Sequence, residues 1–251
     1  MDEDRVAEVI WQARRDGLVL PAPSTQGHPL DIDAAYRIQR AVTGHRLAAG
    51  QRIVGWKLGY TSQVMRDQMG IDQPNYGPLT DVMTLESGAT APSFLRQPRV
   101  EPEVALVLRE ELSPGVGVES LAGSVEARAC LEVVDSSWTD YRFDLGDNTA
   151  DSSSAGAFVL GEPLGLTDPA QVSVRLTVTG EDDRAGTADA AMGNPLAALV
   201  WLLDQLDEPL PSGTVVLTGG LTQAVALNSG GTATAVFTDG DTVAEVVLTR
   251  E

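Results

Sequence analysis

Val100-Glu101-Pro102-Glu103-Val104-Ala105-Leu106-Val107-Leu108 reads as a β-strand that begins acidic and ends apolar. In a strand, side chains at i and i+2 share a face, with Cα atoms about 6.5–7 Å apart. Glu101 and Glu103 therefore stand side by side, with Val104, Leu106 and Leu108 on the opposite face, toward a core. Farther along, Cys130-Leu131-Glu132-Val133-Val134-Asp135 sets a third acid inside an apolar strand. A carboxylate buried without a counter-charge is costly. Two glutamates on one strand and one on another suit a hard, oxygen-preferring ion such as Mg²⁺ or Mn²⁺. The competing reading is a solvated strand end, because a Glu-x-Glu pair arises easily among 36 acidic residues.

Outward from these two strands the pattern is β-rich. Ala157–Leu160, Val172–Val178, Thr214–Leu217, Thr232–Phe237 and Val243–Thr249 are strand-like runs rich in Val and Thr. Helices are expected between them at about Glu119–Ala129 and Leu196–Leu206. Toward the N-terminus, Val6, Val9, Ile10 and Ala13 follow helical spacing up to Gly17, and Asp31 can cap a second helix running to Gly50. A strand at Arg52–Lys57 and a short helix from Ser62 to Gly70 follow; residues 71–97 read as loops with short strands. The fold class expected is α+β, with a small helical N-terminal region at 1–70 and a β-rich core at 71–251.

Composition narrows the function. The 251 residues carry a formal charge of −19, which argues against nucleic acid or an anionic membrane surface as partner. No apolar run approaches the ~18 residues of a membrane span. The acidic start, MDEDRVAEVI, lacks the basic region of a signal peptide, so a cytoplasmic location is expected. One cysteine and two histidines leave carboxylates as the metal ligands on offer. Of 17 basic residues, only Lys57 is lysine. A surface lysine is replaceable by arginine, whereas a compact ammonium at a site is not. Lys57 is thus a candidate site residue, unless it merely survived an arginine-biased composition.

Five segments together resemble a known enzyme family: GWKLGYTS (55–62), QMGIDQPNYGPLTD (68–81), RVEPEVALVL (99–108), LEVVDSSWTDYRFDL (131–145) and DNTADSSSAGAFVLG (147–161). The chain is similar, from about residue 5 to 249, to the 2-keto-4-pentenoate hydratase / 4-oxalocrotonate decarboxylase family, related by fold to fumarylacetoacetate hydrolases. The resemblance implies a roll-like or sandwich β-core and a divalent ion, usually Mg²⁺ or Mn²⁺, with no organic cofactor. It puts the metal ligands at Glu101, Glu103 and Glu132, the active-site lysine at Lys57 and an acidic residue at Asp81, which, itself or through a water it holds, is the expected catalytic acid/base. Ser154, Thr222 and Arg142, or Arg99 in place of the last, are the expected substrate contacts. A 2-oxo acid is the implied substrate, and a homo-oligomer or a complex with a related hydratase the implied assembly.

Within the family, Trp56, Leu79-Thr80-Asp81, Val82, Tyr141–Leu145 and Leu217–Ala226 lean toward the decarboxylase branch. The expectation is decarboxylation of an unsaturated 2-oxo dicarboxylate of the 4-oxalocrotonate (2-oxo-3-hexenedioate) type. The alternatives are hydration of a 2-hydroxy-2,4-dienoate, action on a different 2-oxo acid, or an inactive partner subunit. Three positions depart from the family pattern. Ser137 stands where Arg is usual, Ser152 where Asn is usual, and Tyr60 where Leu is usual. Losing an Arg and an Asn at the mouth of the site would alter which dianions it accepts.

Overall fold

The computed structural model describes residues 2–63, 66–67, 70–121, 123–165 and 168–251. Helix α1 (Glu3–Asp16) starts at Asp2, whose carboxylate accepts the Arg5 amide, and ends on left-handed Gly17. Helix α2 (Ile32–Ala48) is capped by Asp31 as expected. These side-chain oxygens satisfy amides that a helix start leaves unpaired. Ala7, Ile10, Ala35, Ile38 and Val42 pack the two helices on Trp138 and on Ala150 of a short helix, α3 (Leu145–Ala150). The expected helix at 62–70 falls partly outside the described residues, at 64, 65, 68 and 69.

The strands are β1 (Ile53–Gly59), β2 (Asn75–Thr80), β3 (Thr84–Leu85), β4 (Ala89–Thr90), β5 (Arg99–Leu108), β6 (Val125–Val134) and β7 (Ala155–Pro163). After them come β8 (Ser173–Val178), β9 (Arg184–Thr187), β10 (Val215–Leu217), β11 (Val225–Ala226), β12 (Thr232–Asp239) and β13 (Thr242–Thr249). The larger sheet runs β2-β1-β10-β5-β6-β7-β3, with β11 added to the start of β5. Its two ends, β2 and β3, are joined by a single turn at Asp81–Met83. A linker that short spans little more than 10 Å, so the sheet must curl back on itself into a roll. Leu79, Met83, Ala105, Cys130, Phe158 and Leu217 fill its interior. β1, expected as a strand at Arg52–Lys57 but grouped with the N-terminal region 1–70, sits inside this sheet, parallel to β10 and antiparallel to β2.

The second sheet, β4-β13-β12-β8-β9, covers the outer face of the roll. Val104, Leu106, Leu131, Val133 and Val159 pack there against Leu176, Phe237, Val246 and Leu248. Helix α4 (Pro195–Leu206) adds Leu199, Leu202 and Leu203 to the same core. The roll-like α+β architecture expected from the sequence is present.

Among the described residues, the helix expected at Glu119–Ala129 is not. Residues 118–120 form one 3₁₀ turn, Gly123 adopts φ 90°, and Val125 onward is strand β6. Ala, Glu and Arg favour a helix locally. Pairing with β5 on one side and β7 on the other overrides that preference.

Candidate metal centre and active-site cleft

The register of β5 on β6 builds the site. Glu101 pairs directly with Glu132, and Glu103 with Cys130. Side chains opposite each other on neighbouring strands share a face, so the three glutamates converge inside one end of the roll. One carboxylate oxygen from each lies within 4.8 Å of the others. Glu103 and Glu132 are fully buried. Glu103 Oε2 accepts the Gly219 amide at 2.7 Å, whereas Glu103 Oε1 and both Glu132 oxygens have no hydrogen-bond partner among the described residues. Burial, and then repulsion from Glu132, pushes the Glu101 carboxyl up to about 7 and the Glu103 carboxyl well above its ordinary range. Three hard oxygen donors, two with orphaned buried oxygens, fit a divalent cation such as Mg²⁺ or Mn²⁺.

Lys57, on β1, is buried beside them. Its Nζ lies 3.1 Å from Glu132 Oε2 and donates to the Ser153 carbonyl at 2.9 Å. Burial alone would lower the ammonium's pKa, but the fields of Glu132, Glu101 and Glu103 outweigh it and raise it. The Ser153 carbonyl sits in an unusual turn. Ser152, Ser153 and Ser154 have φ of 56°, 52° and 57°, three consecutive non-glycine residues in the left-handed region. Such a run is unfavourable unless its surroundings impose it. Here Ser153 Oγ donates to Asn75 Oδ1, Asn75 Nδ2 donates to Asn148 Oδ1, and Asn148 Nδ2 donates to Ser154 Oγ. Gly77 admits the turn: a Cβ there would lie 2.2 Å from the Ser152 carbonyl oxygen.

A cavity of about 490 Å³ opens from Lys57 and Glu101 toward solvent. Its wall includes Tyr60, Arg99, Tyr141, Asn148, Ser153, Ser154 and Gln223. The Arg99 guanidinium lies over the Tyr141 ring, 4.1 Å from its centroid. The Tyr141 hydroxyl lies 2.9 Å from both the Gln97 and the Val134 carbonyl oxygens and shares its one proton between them, which fixes that platform. Gly220 also lines the cavity, and a Cβ on it would lie 2.0 Å from Glu101 Oε2.

The structure therefore brings together Glu101, Glu103, Glu132, Lys57 and Ser154. It does not bring Asp81, Thr222 or Arg142 to the cleft wall. Asp81 stands beyond the far end of β2, where the Arg52 amide and guanidinium hold its carboxyl below the usual carboxylate range. Thr222 donates to the Gln223 carbonyl, and its methyl faces Gly186 of β9. Arg142 is exposed and pairs loosely with Asp140. Ser137 and Ser152 do not line the cleft either, so neither stands at its mouth. Ser137 gives Asp151 an amide and a hydroxyl, and the guanidinium on Asp151 comes from Arg14 of α1. The Ser153 carbonyl, Asn75 and Gly219-Gly220 were not anticipated. The glycine pair was visible only as part of a longer motif, and a backbone carbonyl has no sequence signature.

No family model matches the chain. It is 36% identical over 238 residues to 2-keto-4-pentenoate hydratase of Paraburkholderia xenovorans, covering 90% of this chain and 88% of that one. Among solved structures, 4-oxalocrotonate decarboxylase from Pseudomonas putida G7, complexed with magnesium and adipate, superposes with a TM-score of 0.90 at 27% identity, over 99% and 97% of the two chains. A protein from Yersinia pestis assigned to the fumarylacetoacetate hydrolase family shares the fold at a TM-score of 0.60 and 14% identity, over 78% and 92% of the two chains. With its glutamate triad, buried lysine and roll-shaped core, this chain belongs to the 2-keto-4-pentenoate hydratase / 4-oxalocrotonate decarboxylase family of lyases and has the fumarylacetoacetate hydrolase-like fold.

Proposed function

We propose that the protein decarboxylates an unsaturated 2-oxo dicarboxylate of the 2-oxo-3-hexenedioate type. Glu101, Glu103 and Glu132 would hold a divalent ion, and that ion supplies Lewis-acid polarisation of the substrate's 2-oxo end. Lys57 has three N–H donors. One donates to the Ser153 carbonyl while the ammonium as a whole pairs with Glu132, which would leave an N–H free for the C2 oxygen as negative charge develops there. Cleavage of the C5–C6 bond releases CO₂ and sends its electron pair through C4 and C3 to that oxygen. A proton on oxygen completes a 2-hydroxy-2,4-dienoate.

The observation that carries this reading is Arg99. It is a cation on the cleft wall, fixed over Tyr141, and it can orient a second carboxylate that a monocarboxylate substrate lacks. Ser154, held by Asn148, is a further substrate contact on the same wall.

A hydratase acting on a 2-hydroxy-2,4-dienoate is the second reading, favoured by 36% identity to a hydratase. Parallel assays separate the two. Incubation with 2-oxo-3-hexenedioate and Mg²⁺ should release CO₂, and Arg99→Met should raise KM for that substrate about tenfold. Hydration of 2-hydroxy-2,4-pentadienoate without CO₂ release from the dicarboxylate would make the protein a hydratase.

A further inference from the structure

A second cavity, of about 180 Å³, lies between α1, α2 and the end of β6. It shares no lining residue with the acidic cleft. At ~30 Å³ per water it has room for about six. In a chain of net charge −19, its wall carries four arginines, Arg14, Arg15, Arg46 and Arg96, against one carboxylate, Asp135. Two of those cations are already neutralised. Arg14 pairs with Asp151 at 2.8 Å, and Arg15 with Asp16 at 3.2 Å. Asp135 is occupied by the backbone amides of Arg96 and Gln97.

Arg46 and Arg96 remain. Arg46 is only 5% exposed, its Nε has no hydrogen-bond partner, and it makes no ion pair among the described residues. A guanidinium removed from water without a counter-charge is costly. Burial, with Arg14 nearby, pushes its pKa down to about 9, partly offset by Asp151. The Arg96 guanidinium has no carboxylate partner among the described residues and makes one long bond, to the Ser93 carbonyl at 3.4 Å. It reaches over the cavity because position 17 is glycine: a Cβ there would lie 1.7 Å from Arg96 Nη2. Ser137, one of the departures from the family pattern, lies on the same wall and adds no bulk.

We propose that this cavity binds a small oxyanion, a carboxylate or a phosphate, with Arg46 as its main ligand and Arg96 at its mouth. Planar guanidinium groups recognise either class through paired N–H···O bonds. Calorimetric titration of the magnesium-loaded chain with sodium phosphate and, separately, sodium malonate tests the assignment, with ionic strength held constant by NaCl. At least one anion should bind saturably, at about one per chain, in an event that persists in Glu103→Gln. That event should weaken about tenfold in Arg46→Gln and about threefold in Arg96→Gln. Phosphate binding alone identifies a phosphate compound as the ligand, and malonate binding alone a carboxylate. Absence of saturable binding by either anion overturns the proposal, as does binding that survives Arg46→Gln or disappears in Glu103→Gln. If Arg46→Gln does not fold, wild-type affinity in the surface variant Arg96→Gln overturns it.

Discussion

Lys57 is fixed by two acceptors of different kinds, a carboxylate of the triad and a backbone carbonyl of a strained turn. Arginine has the charge but not the shape. Its planar fork is longer, and the space around Lys57 is closed by Glu132 and Ser153. Lys57→Arg should therefore reduce kcat on the order of 100-fold while the protein stays folded by circular dichroism; an unchanged kcat would mean the lysine is merely left over. At this scale the sequence was readable where composition made a residue conspicuous, as with the single lysine, or where an acid interrupted an apolar run, as with Glu132. It was not readable for Arg99 against Arg142. The two are alike in sequence, and only packing on Tyr141 puts the first at the cleft and leaves the second in solvent.

Strand register does at the element level what spacing alone could not. The i, i+2 rule pairs Glu101 with Glu103, but their meeting with Glu132 depends on which residue of β6 faces which residue of β5. A one-residue slip would send Glu132 to the apolar outer face. The N-terminal helices were legible because caps and periodicity are local. β6 was misread at its start because its Ala, Glu and Arg carry helical preference while its two partners lie elsewhere in the chain. The Ser152–Ser154 turn was likewise invisible, since nothing in three serines signals left-handed backbone. Its dependence on Gly77 is testable. Gly77→Ala places a methyl group against a backbone carbonyl that cannot yield cheaply. The cost should be about 1–3 kcal/mol, or roughly 5 °C in Tm, with kcat falling as the Lys57 anchor shifts. Wild-type Tm and kcat in this variant would show that the turn has slack.

Across the whole molecule, charge and site oppose one another. A net −19 would repel an anionic substrate at long range, while Lys57, Arg99 and a cation held by the triad would attract it only at the cleft. Salt shortens the reach of the repulsion, from about 30 Å at 0.01 M to about 8 Å at 0.15 M, and affects the enclosed contacts less. Raising NaCl over that range should leave kcat/KM for the dicarboxylate unchanged or raise it about twofold; a steep fall would indicate that surface cations steer capture. The roll makes this arrangement possible. By curling until β2 and β3 are joined by one turn, the sheet encloses three acids and a lysine that an open sheet would leave to solvent. The proposed chemistry requires that these acids form one divalent-metal site. Mn²⁺ titration followed by electron paramagnetic resonance measures it directly: one ion per wild-type chain, and affinity reduced at least about 100-fold in Glu103→Gln. Equal Mn²⁺ affinity in both proteins would contradict it.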